Sequence, residues 1–227
     1  MTRSVIVLAA IMGWFVAWHT TDAQSAPNTV SDKGSAPPKA SSQIPAATAD
    51  LFKRSYALET AGKYVEAAEV ILPLHGTRNG DQELVMLRLG WLNYLQGQHN
   101  VSIHYYRLAL RTNGHSIDAL LGITLPLLAQ QRYREAAAFA GSVLELSRLN
   151  QTALQRMMAA AEGQKQWESL LGYASTLASH YPTDTDALVY MARAHLWLNH
   201  KNLARDAYVK VLNRIPGHLE ATAFLKQ

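Results

Sequence analysis

The chain has 227 residues and no cysteine, which excludes a disulfide framework, thiolate metal sites and a cysteine nucleophile. Its formal net charge of +4 comes from lysines and arginines scattered in ones and twos, whereas nucleic-acid binding calls for a basic patch or stripe. Glycine (13) and proline (8) are sparse, and Pro27, Pro37, Pro38 and Pro45 share one early segment, so the remainder can support long helices and an all-α fold is expected.

The first element is an apolar run from Val5 to Trp18, broken at Gly13, preceded by Arg3 and followed by a polar stretch with small residues at Thr21 and Ala23. This three-part layout predicts a secretory signal peptide over residues 1–23. The alternative is an uncleaved anchor that tethers the protein to a membrane, although about 14 apolar residues fall short of the roughly 20 of a spanning helix. Residues 24–47 are rich in Ser, Ala, Pro and Thr and are expected to form a disordered spacer, having too few large apolar groups to offset the entropy of ordering.

Beyond the spacer, one pattern recurs. Gly62-Lys-Tyr64-Val-Glu-Ala67, Gly97-Gln-His99-Asn-Val-Ser102, Gln131-Arg-Tyr133-Arg-Glu-Ala136, Lys165-Gln-Trp167-Glu-Ser-Leu170 and Asn199-His-Lys201-Asn-Leu-Ala204 follow one another at spacings of 35, 34, 34 and 34. Each joins two apolar helical faces through a turn, as in the best-preserved copy, Leu89 to Leu110. A constant period of this length marks stacked helix pairs.

On these residues the sequence resembles the tetratricopeptide repeat family, whose unit carries a small residue in the first helix, Gly-x-Tyr at the turn, Ala in the second helix and Pro near the end. The resemblance implies an all-α, right-handed superhelical solenoid of five helix pairs. The units would span 48–81, 83–116, 117–150, 151–184 and 185–218, with one extra residue between the first two and a short capping helix over 219–227. The paired small positions are Ser55 with Ala67, Gly90 with Ser102, Thr124 with Ala136 and Ala192 with Ala204. In the fourth unit both partners are large, Met158 and Leu170, so that pair is expected to splay or to pack differently. Pro182 and Pro216 close the last two units, where the earlier ones have Asn79, Gly114 and Arg148.

In such a solenoid the first helices line a concave groove. Carried over by register, the groove would hold Phe52, Tyr56, Leu87, Trp91, Tyr94, Leu121, Leu125, Leu128, Tyr190 and Trp197, a set suited to an extended or helical segment of another protein. The alternative places Trp91 and Tyr94 in the core between repeats. The sixth position of successive units is Lys53, Arg88, Gly122, Arg156 and Tyr190, with Arg193 close by. This cationic stripe suits an acidic segment or a C-terminal carboxylate, or else Arg88 and Arg156 close inter-repeat ion pairs with Asp118 and Asp186. Some family members hold the carboxylate terminus of heat-shock chaperones with Lys and Asn at places occupied here by Phe52 and Tyr56, which argues against that role.

No catalytic motif is present, and the pairs His99 with His104 and His195 with His200 are five apart, a spacing that does not place both rings on one helical face. Neither an enzyme, a metal nor a cofactor is expected. The implied function is a non-enzymatic scaffold, adaptor or chaperone-like module. The pairing of a signal peptide with repeats, common in bacterial members, points to the periplasm or an inner-membrane anchor facing it, and to secretion, pilus or envelope assembly. The alternative is a structural module that self-associates or docks through its convex face or repeat edges.

Overall fold

The computed structural model describes residues 46–78 and 81–226. The protein divides into two units, Met1–Ser41 and Ser42–Gln227, and every described residue belongs to the second. The expected signal peptide, most of the expected spacer and Asn79 lie outside the described residues.

The described residues form five helix pairs and a final short helix: α1 (Ala46–Thr60) with α2 (Tyr64–Ile71), α3 (Gln82–Leu95) with α4 (His99–Thr112), α5 (Ile117–Ala129) with α6 (Tyr133–Leu146), α7 (Gln151–Gly163) with α8 (Trp167–His180), α9 (Thr185–Trp197) with α10 (Lys201–Arg214), then α11 (Leu219–Leu225). Consecutive helices pack on one another, and the first helices α3, α5 and α7 also touch in sequence. Because the first helices lie close together along the stack, they form the inner side of its curve.

The period has a physical basis at both ends of each pair. At every turn within a pair, one residue takes the left-handed conformation: Gly62, Gly97, Gln131, Lys165 and Asn199, with φ of 74°, 73°, 58°, 58° and 61°. Each of the later first helices is started by a residue whose side-chain acceptor takes a hydrogen bond from the backbone N–H three residues on: Asp81 from Leu84, Ser116 from Ala119, Asn150 from Ala153, Asp184 from Ala187 and, ahead of α11, His218 from Ala221. Such caps satisfy donors that a helix start leaves open.

The small positions bring helices together as expected. Ser55 Oγ donates to the Ala67 carbonyl at 2.9 Å and Ser102 Oγ to the Gly90 carbonyl at 2.7 Å. In the fourth pair Met158 and Leu170 are both fully buried in one cluster with Ala161, Ala174 and Leu177, so this pair packs around two large side chains where the others pack around small ones. A further close approach runs between units: the buried Tyr106 ring lies against Gly90 and Gly122, and a Cβ at Gly122 would stand 2.2 Å from it. Pro126 sits inside α5, where it cannot donate to the Gly122 carbonyl.

The first pair departs from the others. Its second helix stops at Ile71 and gives way to one 3-10 turn, Leu72–Leu74, with Pro73 inside it. The extra residue of the 35-residue spacing is Gln82, an added first residue of α3. Its side-chain amide donates to the carbonyls of Leu74 (2.9 Å) and Thr77 (2.8 Å) and accepts from the Gly76 N–H (2.7 Å), so it ties down the irregular segment.

Candidate functional site

The groove face is built from one register. The twelfth position of a unit reaches the sixth and ninth positions of the next. Thus Glu59 accepts hydrogen bonds from Trp91 Nε1 (2.7 Å) and from Arg88 Nη1. Arg88 also donates through Nε to Ser55 Oγ (3.1 Å) and stacks its guanidinium 4.0 Å from the Tyr56 ring centre. At the other end Glu162 pairs with Arg193 at 3.1 Å. Arg193 also grips Glu220 of α11 through two nitrogens at 2.9 and 2.6 Å, and Tyr208 donates to the same carboxylate.

These pairings set the charge states. The hydrogen bonds to Glu220 hold the Arg193 pKa well above its usual range despite burial. Burial pushes the Glu220 carboxyl up, but hydrogen bonds from Arg193 and Tyr208 outweigh it and leave the pKa below the usual value. Burial and the nearby Glu162 carry Tyr190 up to about 12, so its phenol is a neutral hydrogen-bond donor at physiological pH.

Arg156, between these clusters, is different. Burial lowers its pKa, opposed by the phenols of Tyr94 and Tyr190, which are near enough to interact electrostatically. Its Nε is buried with no partner, and no carboxylate among the described residues pairs with it.

The residues expected in the groove therefore divide. Tyr56 is half exposed, and Leu87, Trp91, Tyr94, Leu121, Leu125, Leu128 and Tyr190 are less so, each partly exposed along the first helices. Lys53 is exposed. Phe52 belongs instead to the core, packed with Ile71, Leu74, Val85 and Leu89, because α2 and α3 close over it. Arg88 is buried and committed to Glu59, so it is neither a free groove cation nor the partner of Asp118. Asp186 does not pair with Arg156; the groove arginine that meets an acid of the following segment is Arg193, with Glu220. Trp197 is 67% exposed, yet stacks flat on Trp167 at 4.9 Å, which places it at the turn edge of the stack.

The unexpected members are Glu59, Glu162 and Glu220. Their signal was present in the spacing, since Glu59 and Glu162 share the twelfth position of their units, but it becomes legible only when paired with positions six and nine. Among the described residues no group of three metal-ligating side chains converges, and no helix is long and apolar enough to cross a membrane. His195 and His200 face each other at 5.7 Å without a third ligand.

No family model matches the sequence, and no curated protein matches it. Solved structures match its architecture. MamA from Desulfovibrio magneticus RS-1 is similar with a TM-score of 0.70 and 13% identity, covering 78% of this chain and 99% of that one. A tetratricopeptide repeat protein from Parabacteroides merdae matches at 0.71 and 14% identity, covering 78% and 70%. YrrB, described as a tetratricopeptide repeat protein with an unusual peptide-binding site, matches at 0.65 and 13% identity, covering 78% and 91%. At such identities the likeness carries the fold.

Proposed function

We propose that this right-handed tetratricopeptide-repeat solenoid is a non-enzymatic scaffold that holds a segment of another protein along its first helices. The observation that carries the reading is the strip of partly exposed aromatic and aliphatic side chains, from Tyr56 through Leu87, Trp91, Tyr94, Leu121 and Leu125 to Tyr190. Rigid aromatic groups provide large contact area at low entropic cost. The peptide-binding site in the description of YrrB supports a peptide-like occupant. The layout of residues 1–23 supports export and a chaperone-like or adaptor role in the periplasm, in secretion, pilus or envelope assembly.

A second reading, edge docking or self-association, draws on exposed Ile215 and Leu219 at the C-terminal end, where Leu219 is 86% exposed. The two readings separate in one comparison. Replacing Tyr56, Leu125 and Tyr190 together with Ala is expected to abolish recovery of the native partner while circular dichroism and light scattering stay unchanged. Undiminished recovery by this variant, with loss on replacing Ile215 and Leu219 by Ser, would reject the groove in favour of the edge.

A further inference from the structure

The turn that all five pairs share brings together two side chains that a helix alone keeps apart. Residues five apart on an α-helix point about 140° away from one another. In each pair the first helix ends on a left-handed residue, and the N–H of the residue after it donates back to a carbonyl five positions earlier: Lys63 to Leu58, Gln98 to Asn93, Arg132 to Leu127, Gln166 to Ala161 and His200 to His195, at 2.7–2.9 Å. The chain folds back on itself there. In the fifth pair the rings of His195 and His200 face each other across the turn, with centres 5.7 Å apart and planes inclined at 54°. Of the five residue pairs in this register, this is the one that offers two imidazoles.

Their separation fits a shared ion. Metal–nitrogen bonds of about 2.0–2.1 Å place two imidazole ring centres about 4.5–6 Å apart, according to the angle at the metal. His195 Nδ1 is shut off from solvent and has no hydrogen-bond partner, and a polar atom left so is costly to the fold. His200 is exposed, and although it precedes α10 its side chain makes no capping hydrogen bond, so its ring is available as a ligand. Among the described residues no third ligating side chain converges on the pair, which leaves the rest of a coordination sphere to water.

We propose that His195 and His200 together hold one divalent late first-row transition-metal ion, Cu²⁺, Ni²⁺ or Zn²⁺, the ions that imidazole suits. The bound ion ties the end of α9 to the start of α10 across the turn of Asn199. The site lies at the turn edge of the stack, where Trp197 stacks on Trp167, and it is independent of the groove reading above.

Copper tests this most directly, because Cu²⁺ binds nitrogen ligands most tightly of the series. Copper(II) chloride is titrated by isothermal calorimetry into the untagged full chain, and the ligands of the bound ion are read by electron paramagnetic resonance. One saturable site per chain is expected, with two imidazole nitrogens in its spectrum. His200→Gln should weaken that site at least about tenfold, whereas His104→Gln, on α4, should bind as the parent does. Gln98 and Gln166 stand in the register place of His200, so His200→Gln should keep the parent's helix content by circular dichroism. Several equivalent weak sites, or no saturable site, would mark adventitious binding and overturn the proposal. A site that survives His200→Gln, or that His104→Gln weakens equally, overturns it as well. The parent's spectrum decides independently of any variant: fewer than two imidazole nitrogens on the ion rejects the pair as its ligands.

Discussion

Lys165 and Gln131 occupy a backbone conformation that glycine adopts freely and other L-residues adopt at a cost. Both have φ of 58°, in the same register place where Gly62 and Gly97 stand. Lys165→Gly should therefore stabilise the protein by about 0.5–1 kcal/mol, whereas Gly97→Ala should destabilise it by about 1 kcal/mol or more, both read from urea midpoints. Gly122 is constrained by space instead. Gly122→Ala would drive a methyl into the Tyr106 ring and should cost about 1–3 kcal/mol in the same assay. The first of these features is half legible in sequence, since two turns announce themselves with glycine and three hide the same conformation under Gln, Lys and Asn. The second is hidden: in the stripe of sixth positions Gly122 looks like a missing cation, and only the ring packed on it shows why nothing larger fits there.

Among elements, the five capped helix starts were readable and easily overlooked, because Asp, Ser, Asn, Asp and His look unrelated until each is seen to offer one acceptor at the same register place. The irregular end of the first pair was less accessible, since nothing in Leu72–Leu74 announces that Gln82 will satisfy a carbonyl there. The final helix carries the clearest pH dependence. Glu220 is held below its unfolded carboxylate pKa by Arg193 and Tyr208, so its stabilisation is fully present above the unfolded value of about 4.3. It is lost as pH falls below that value and through the folded one. Hydrogen exchange in α11 should therefore accelerate selectively in that acid range, whereas Glu220→Gln should show the faster exchange already at neutral pH. Equal protection of α11 in both proteins at neutral pH would show that this contact does not hold the cap.

At the scale of the molecule, the fold was the most legible feature: the period and the small-residue pairs together specify stacked helix pairs. The inner strip was legible by register, but its charges were not. Register alone cannot tell that Arg88 folds back onto Glu59 while Arg156 keeps no acid, nor that α2 and α3 bury Phe52. The central claim concerns which surface meets the partner. A photo-crosslinking residue placed at Tyr56 or Leu125 on the inner face, and at Val101 or Leu203 on exposed second-helix positions, would measure it in cells that make the native protein. The account predicts one discrete crosslinked partner from the two inner positions and none from the two second-helix positions; the same adduct from Val101 or Leu203, with none from Tyr56 or Leu125, would contradict it.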